Sequence, residues 1–172
     1  DYSELEKFVI EMGEKKFRAR QIFRWLYEKN ASAISDFTNI SLALRQRLEK
    51  IAYIGQIQLS QQQLSQDGTR KLLFELEDGH FVESVLLFDA ERCTLCASTQ
   101  TGCSMGCAFC KTGTLRQKRN LQAWEIVDQF VWANTLLQEQ DKRLTNAVLM
   151  GMGEPLDNYD ETIKALGLLK AD

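Results

Sequence analysis

All five cysteines of the chain fall between positions 93 and 110, and three of them, Cys103, Cys107 and Cys110, are spaced C-x3-C-x2-C. Thiols this close on one segment suit a metal or redox centre better than a disulfide framework. A [4Fe–4S] cluster ordinarily takes four cysteine thiolates, so a loop that offers three leaves one iron open to a small-molecule ligand. Zinc is the competing reading, with the single His80 as a fourth ligand, but the spacing is not that of a finger or ribbon. Gly102 and Gly106 free the backbone to wrap closely around an inorganic core, and Phe109 is placed to shield it from water.

Two further places invite chemistry. Gly151-Met152-Gly153-Glu154-Pro155 follows an apolar stretch ending at Met150, and a glycine-rich turn after a strand is where α/β proteins bring backbone close to a ligand. Taken alone it is equally a plain turn. On the stretch from Phe81, the alternate residues Phe81, Glu83, Val85 and Leu87 share a face, so a carboxylate stands in an apolar row. Burial there would raise its pKa and suit it to proton transfer, while an edge-strand charge against aggregation is the alternative.

These residues need a scaffold. From Glu14 to Lys29 the local charge is +4, and Ala19, Ile22, Phe23, Leu26 and Tyr27 form a helical stripe that leaves Arg20 and Arg24 on the solvated side. Ser41 is a candidate N-cap for a second helix with apolar Leu42, Leu44, Leu48 and Ile51, so residues 1–52 are expected to be a small helical domain. The period then changes to two, with turn signals at Asp67-Gly68 and Asp78-Gly79, predicting a β-meander over 53–90. From 91 to 172 the pattern alternates: a strand at 95–98, a helix at 123–138, a strand at 147–150 and a helix at 161–169. That order implies parallel pairing, hence an α/β fold.

Composition narrows the class. At 172 residues, 44% hydrophobic, 26% charged and a net charge of −3, the chain has the makings of a globular core and no general affinity for polyanions. Only a local basic surface would recognise nucleic acid. No stretch reaches the roughly 20 apolar residues of a membrane span, and the first residues carry no signal pattern, so the expected location is cytoplasmic.

The cysteine spacing and the Gly151–Pro155 turn together resemble the radical S-adenosylmethionine (SAM) superfamily. More narrowly, the chain resembles the radical-SAM adenine-C2 RNA methyltransferases of the RlmN type. The resemblance is carried by Phe17 to Tyr27, Thr94-Leu95-Cys96-Ala97-Ser98-Thr99-Gln100, Cys103 to Cys110, Arg119-Asn120-Leu121, Glu125 to Gln129 and Met150 to Leu156. It implies that residues 91–172 are the first βα units of a partial radical-SAM barrel. It also implies methyl transfer to C2 of an adenine in 23S rRNA, and in tRNA, by way of a methylated cysteine. Cofactors implied are a [4Fe–4S] cluster on Cys103, Cys107 and Cys110, and SAM, whose ammonium group would meet Gly153 and Glu154.

By the same resemblance Cys96 is the second cysteine, which takes the C2 proton and closes a disulfide, and Glu83 is the active-site glutamate. Arg18, Arg20 and Arg24 are implied in RNA docking, with Lys111, Arg116, Lys118 and Arg119 beside the cluster loop offering phosphate contacts. An electron donor such as flavodoxin or ferredoxin is implied as partner. The methyl-carrying cysteine of the family lies near its C-terminus, and no cysteine follows Cys110 here, so the chain is expected to be a fragment inactive by itself. C8-directed methylation, or a non-catalytic Fe–S or zinc RNA-binding module, are the alternatives left open.

Overall fold

The computed structural model describes residues 1–115 and 119–170. Two compact units are present, Asp1–Gly55 and Gln56–Asp172. No helix among the described residues is long and apolar enough to cross a membrane.

The first unit holds α1 (Tyr2–Glu11), α2 (Phe17–Tyr27) and α3 (Leu42–Glu49). Sequence periodicity had not separated out α1; its start is fixed by Asp1, whose carboxylate caps the Glu4 amide at 2.9 Å while the Glu4 side chain reaches back to the chain terminus. Ser41 caps α3 as expected, accepting from the Leu44 amide. Val9, Ala19, Ile22, Phe37, Ile40 and Leu44 form the core. Leu42 and Ile51, expected to join it, are instead 62% and 59% exposed: α3 is only eight residues long and turns just Leu44 and Leu48 fully inward.

The second unit is built on one five-stranded sheet in the order β1-β2-β3-β4-β5, with β1 (Gln58–Leu64), β2 (Arg70–Glu75), β3 (Phe81–Asp89), β4 (Arg92–Cys96) and β5 (Asn146–Val148). β1 to β4 pair antiparallel through tight turns, and β4 pairs β5 in parallel after a crossover through α4 (Ala123–Gln138). The meander and the βα part thus share a single sheet. The glutamine-rich β1 is one of the two edge strands of the described sheet, its residues mostly exposed, a polar composition that discourages edge pairing. α5 (Tyr159–Leu169) packs against α4.

One face of the sheet is closed. Val82, Ser84 and Leu86 on β3, and Cys93 and Leu95 on β4, are buried together with Ile126, Phe130 and Leu137 of α4. Cys93, the one cysteine outside the motif words, is a small buried filler of this strand. Two polar side chains of α4 lie in this core. Gln129, fully buried, accepts from Ser84 Oγ (2.6 Å) and the Ser98 amide (2.8 Å) and donates to Ser98 O (3.0 Å), so its own amide group and these three partners are satisfied. Glu125 forms a two-point ion pair with Arg119 (2.8 and 2.9 Å).

Candidate functional site

The glycine turn lies directly against the segment that follows β4. The Gly151 amide donates to Ala97 O (3.1 Å), Met152 N to Ser98 Oγ (2.8 Å), and the Thr99 and Gln100 amides both donate to Met152 O (2.9 and 3.1 Å). This closeness needs glycine: a Cβ on Gly151 would stand 2.7 Å from Ser98 Oγ and 2.8 Å from Ala97 C. At Gly153, with φ +102°, it would stand 2.8 Å from Gln100 N. The Glu154 amide donates to Gln100 Oε1 at 2.9 Å, and the Glu154 carboxylate accepts from Leu156 N at 3.1 Å.

The cysteine loop is held differently. Cys103 is buried at its start, Cys110 half-buried and Cys107 exposed. Gly106 turns the chain at φ +65°, and Cys110 N donates to Cys107 O at 3.0 Å. The Cys110 sulfur accepts hydrogen bonds from the Gly113 and Thr112 amides and from the Thr112 side chain, which hold its thiol below the ordinary range and favour the thiolate a metal needs. Among the described residues no three His, Cys, Asp or Glu side chains are gathered as a metal requires. The three thiols share one loop without converging, so the donor chemistry fits a metal centre and the loop must close to hold one. Phe109, expected to shield this centre, is 93% exposed, and His80, the fourth zinc ligand considered, pairs with Asp78 (3.1 Å).

Cys96 ends β4 opposite Val85 of β3, and Glu83 lies two residues along β3 on the same face. The expected burial of Glu83 is not found: its side chain is 42% exposed and ion-paired with Lys71 at 2.8 Å, because the buried face of β3 is the Val82–Ser84–Leu86 row. Its backbone is tied to the glycine turn, the amide donating to Met152 Sδ (3.3 Å) and the carbonyl accepting from Ser98 Oγ. Partial burial pushes the Cys96 thiol up, opposed by a hydrogen bond from the Met150 backbone. Glu83, Cys96 and the glycine turn are therefore neighbours at one end of the sheet.

The expected phosphate contacts fare unevenly. Arg119 is committed inside the unit: besides Glu125 it pairs with Asp78 at 2.7 Å, and these carboxylates hold it firmly charged. Its place in the basic cluster beside the cysteines concealed this, since the partners lie 6 and 41 positions away in the chain. Arg116 and Lys118 lie outside the described residues, and Lys111 is exposed. On α2, Arg20 and Arg24 are exposed, Arg24 bonding Glu28 (2.8 Å), while Arg18 bonds Gln21 (2.7 Å) and lies over the Phe17 ring.

Sequence reasoning assigned no individual role to Gln100, Asn120 or Asp157. Gln100 Nε2 donates to Asn120 Oδ1 (2.8 Å) and to Asp157 Oδ2 (3.0 Å), and Ser104 Oγ donates to the same Asp157 oxygen (2.9 Å). The two bonds draw the Asp157 carboxyl below its usual range. For Gln100 and Asn120 the signal lay in the motif words themselves, while Asp157 falls just past the last of them, three residues after Glu154.

Comparison with known proteins places this geometry. Residues 1–54 match the family described as the ribosomal RNA large subunit methyltransferase N-terminal domain. Over 165 residues the chain is 48% identical to a dual-specificity RNA methyltransferase RlmN of Pelobacter propionicus, covering 96% of this chain and 46% of that protein. It is 46% identical to one of Geotalea uraniireducens, covering 96% and 47%. The crystal structure of a radical SAM methyltransferase from Sphaerobacter thermophilus superposes with a TM-score of 0.90 at 38% identity, over 99% of this chain and 50% of that one. The chain thus spans about half the length of the curated relatives it matches.

Proposed function

We propose that this chain, which belongs to the RlmN family and aligns with its N-terminal half, is the cofactor- and RNA-docking part of a radical-SAM RNA methyltransferase that methylates C2 of adenine in 23S rRNA and tRNA. The rest of such an enzyme would complete the barrel and bring the methyl-carrying cysteine. The single observation that carries the reading is the meeting of the Gly151–Pro155 turn, Cys96 and Glu83 at one end of the sheet, with the cysteine loop leaving the same segment three residues after Gln100.

Cys103, Cys107 and Cys110 would hold a [4Fe–4S] cluster, which supplies low-potential electrons for cleaving SAM and so opens a radical route to an electron-poor aromatic carbon. The chain's own residues do the rest. Gly153 and Glu154 would receive the SAM ammonium group, the glycine by close backbone approach and the glutamate by accepting hydrogen bonds. Cys96 is placed to take the C2 proton as its thiolate, burial making that thiolate the stronger base; once the proton has passed on, its sulfur would attack that of the methyl-carrying cysteine, the new S–S bond replacing the S–C bond to the methylated base, which keeps the electron pair and takes a proton. Glu83, held by Lys71 on the same sheet face, serves as the neighbouring proton acceptor.

The helical unit with Arg18, Arg20 and Arg24 would dock RNA phosphates, presenting an adenine flipped out of its stack. A flavodoxin- or ferredoxin-like partner would be the electron donor. The test is product analysis: the full-length polypeptide, reduced and given SAM and rRNA or tRNA, is expected to yield 2-methyladenosine on digestion. An 8-methyladenosine product would move the reading to the C8-directed relatives, and neither product would leave a non-catalytic RNA-binding module.

A further inference from the structure

We propose that Gln100 is a positioning residue that fixes the Gly153–Glu154 backbone relative to the cysteine loop, through a bridge running Glu154, Gln100, Asp157, Ser104 and ending beside Cys103. The inference rests on the reading above that this turn receives SAM and this loop a cluster.

A glutamine side chain has one carbonyl acceptor and two amide donors. Gln100 is only 6% exposed and uses all of them in directed bonds, Oε1 accepting from the Glu154 amide and Nε2 donating to Asn120 and Asp157. Its backbone amide donates to Met152 O, so the turn is gripped on both sides of Gly153. The grip leaves no slack, since a Cβ on Gly153 would stand 2.7 Å from Gln100 Cβ. At the far end of the bridge, one oxygen of Asp157 is shared between Gln100 and Ser104, the residue after Cys103. A shift of Ser104 as Cys103 takes up metal is thereby handed to Asp157, to Gln100 and on to the Glu154 amide.

Neither glutamate nor alanine meets these demands. Glutamate at 100 would keep the acceptor but face Asp157 with like charge, and alanine would leave the Glu154 amide and the Asp157 carboxylate without this partner. The chemistry suggests a swap: in the pair Gln100→Glu with Asp157→Asn, the amide introduced at 157 donates to the carboxylate introduced at 100 and to Ser104 Oγ, and Asn120 turns its own amide to donate to that carboxylate, restoring the link with its polarity reversed.

The experiment uses the full-length polypeptide carrying its cluster, and measures iron content, equilibrium binding of SAM, and hydrogen exchange at the Glu154 amide. Gln100→Ala is expected to keep its iron, weaken SAM binding about tenfold, the size of one or two lost hydrogen bonds, and speed exchange at Glu154. Gln100→Glu is expected to be at least as damaged, and the double variant to return SAM binding to within about threefold of the parent. Recovery in the double variant is something a generally weakened fold would not give. Should Gln100→Ala not fold, Asp157→Ala, which spares the Glu154 bond, is expected to weaken SAM binding about threefold with the same iron content. SAM binding and Glu154 exchange unchanged in Gln100→Ala, or no recovery in the double variant, would overturn the bridge. Failure of the parent itself to bind SAM would instead overturn the reading beneath it.

Discussion

The two motif-bearing loops of the second unit are held by different means. The turn at 151–155 is laid on residues 97–100 by backbone bonds, two glycines without room for a side chain, and the Gln100 amide. The loop at 104–109 is exposed throughout, with Met105 and Phe109 turned to solvent and the thiols of Cys103, Cys107 and Cys110 not gathered. The first has its shape from the protein alone. On the reading proposed above, the second would take its final shape from what its thiols bind, so that metal uptake and ordering would be one event. Between them the Asp157 carboxylate, shared by Gln100 and Ser104, is the hinge point.

Substitutions sharpen this contrast. The largest effect is expected from Cys103, Cys107 and Cys110 to Ala together, which should abolish iron uptake, from about four irons per chain to none, while leaving the sheet's thermal transition nearly unmoved. A large loss of stability in the metal-free variant would mean that the loop is part of the core after all. Gln129→Leu reverses the pattern: it strands Ser84 Oγ and both backbone groups of Ser98 inside the core, and should cost about 2–4 kcal/mol in denaturant titration. Because Ser98 also holds Met152, SAM binding should weaken in step.

Asp128 offers a pH test of the same scaffold. Burial pushes its carboxyl up to about 6, though it accepts from the Ile57 amide at 2.8 Å. A raised carboxyl means the folded state holds the extra proton between the ordinary value of 3.8 and about 6, so this contribution favours folding at low pH and is lost as pH rises through that window. Asp128→Asn should therefore gain up to about 3 kcal/mol relative to the parent at pH 7 and almost nothing at pH 4, measured by urea unfolding at the two pH values. An equal shift at both would contradict the buried carboxylate. Gly153→Ala should cost about 1–3 kcal/mol through backbone strain, with normal iron content. Phe109→Ala, on the exposed loop, should change stability by less than about 0.5 kcal/mol in the metal-free protein.

The sequence was most readable where one period or one spacing decides. The α2 stripe, the Ala123–Gln138 helix, the Asp-Gly turns and the cysteine triplet all lie on single segments. The face of β3 was not readable in this way, because over residues 81–88 both of its rows look apolar with one polar intruder each, Glu83 in one and Ser84 in the other. Ser84 is the buried one, and what permits it is Gln129, 45 residues away. Arg119 misled for the same reason: its sequence neighbours are basic, and the carboxylates that claim it, Glu125 and Asp78, come from a helix and a distant turn. Long-range polar pairing leaves no period in the chain. Hence the motif residues stood out while the groups that brace them did not.

The most direct measurement is anaerobic reconstitution of the full-length polypeptide with iron and sulfide, followed by iron counting and electron paramagnetic resonance of the reduced protein with and without SAM. The account predicts about four irons per chain, lost in the triple cysteine variant, and a spectrum that shifts on adding SAM because one iron is open to it. Zinc in place of iron, or a cluster whose spectrum ignores SAM, would contradict it.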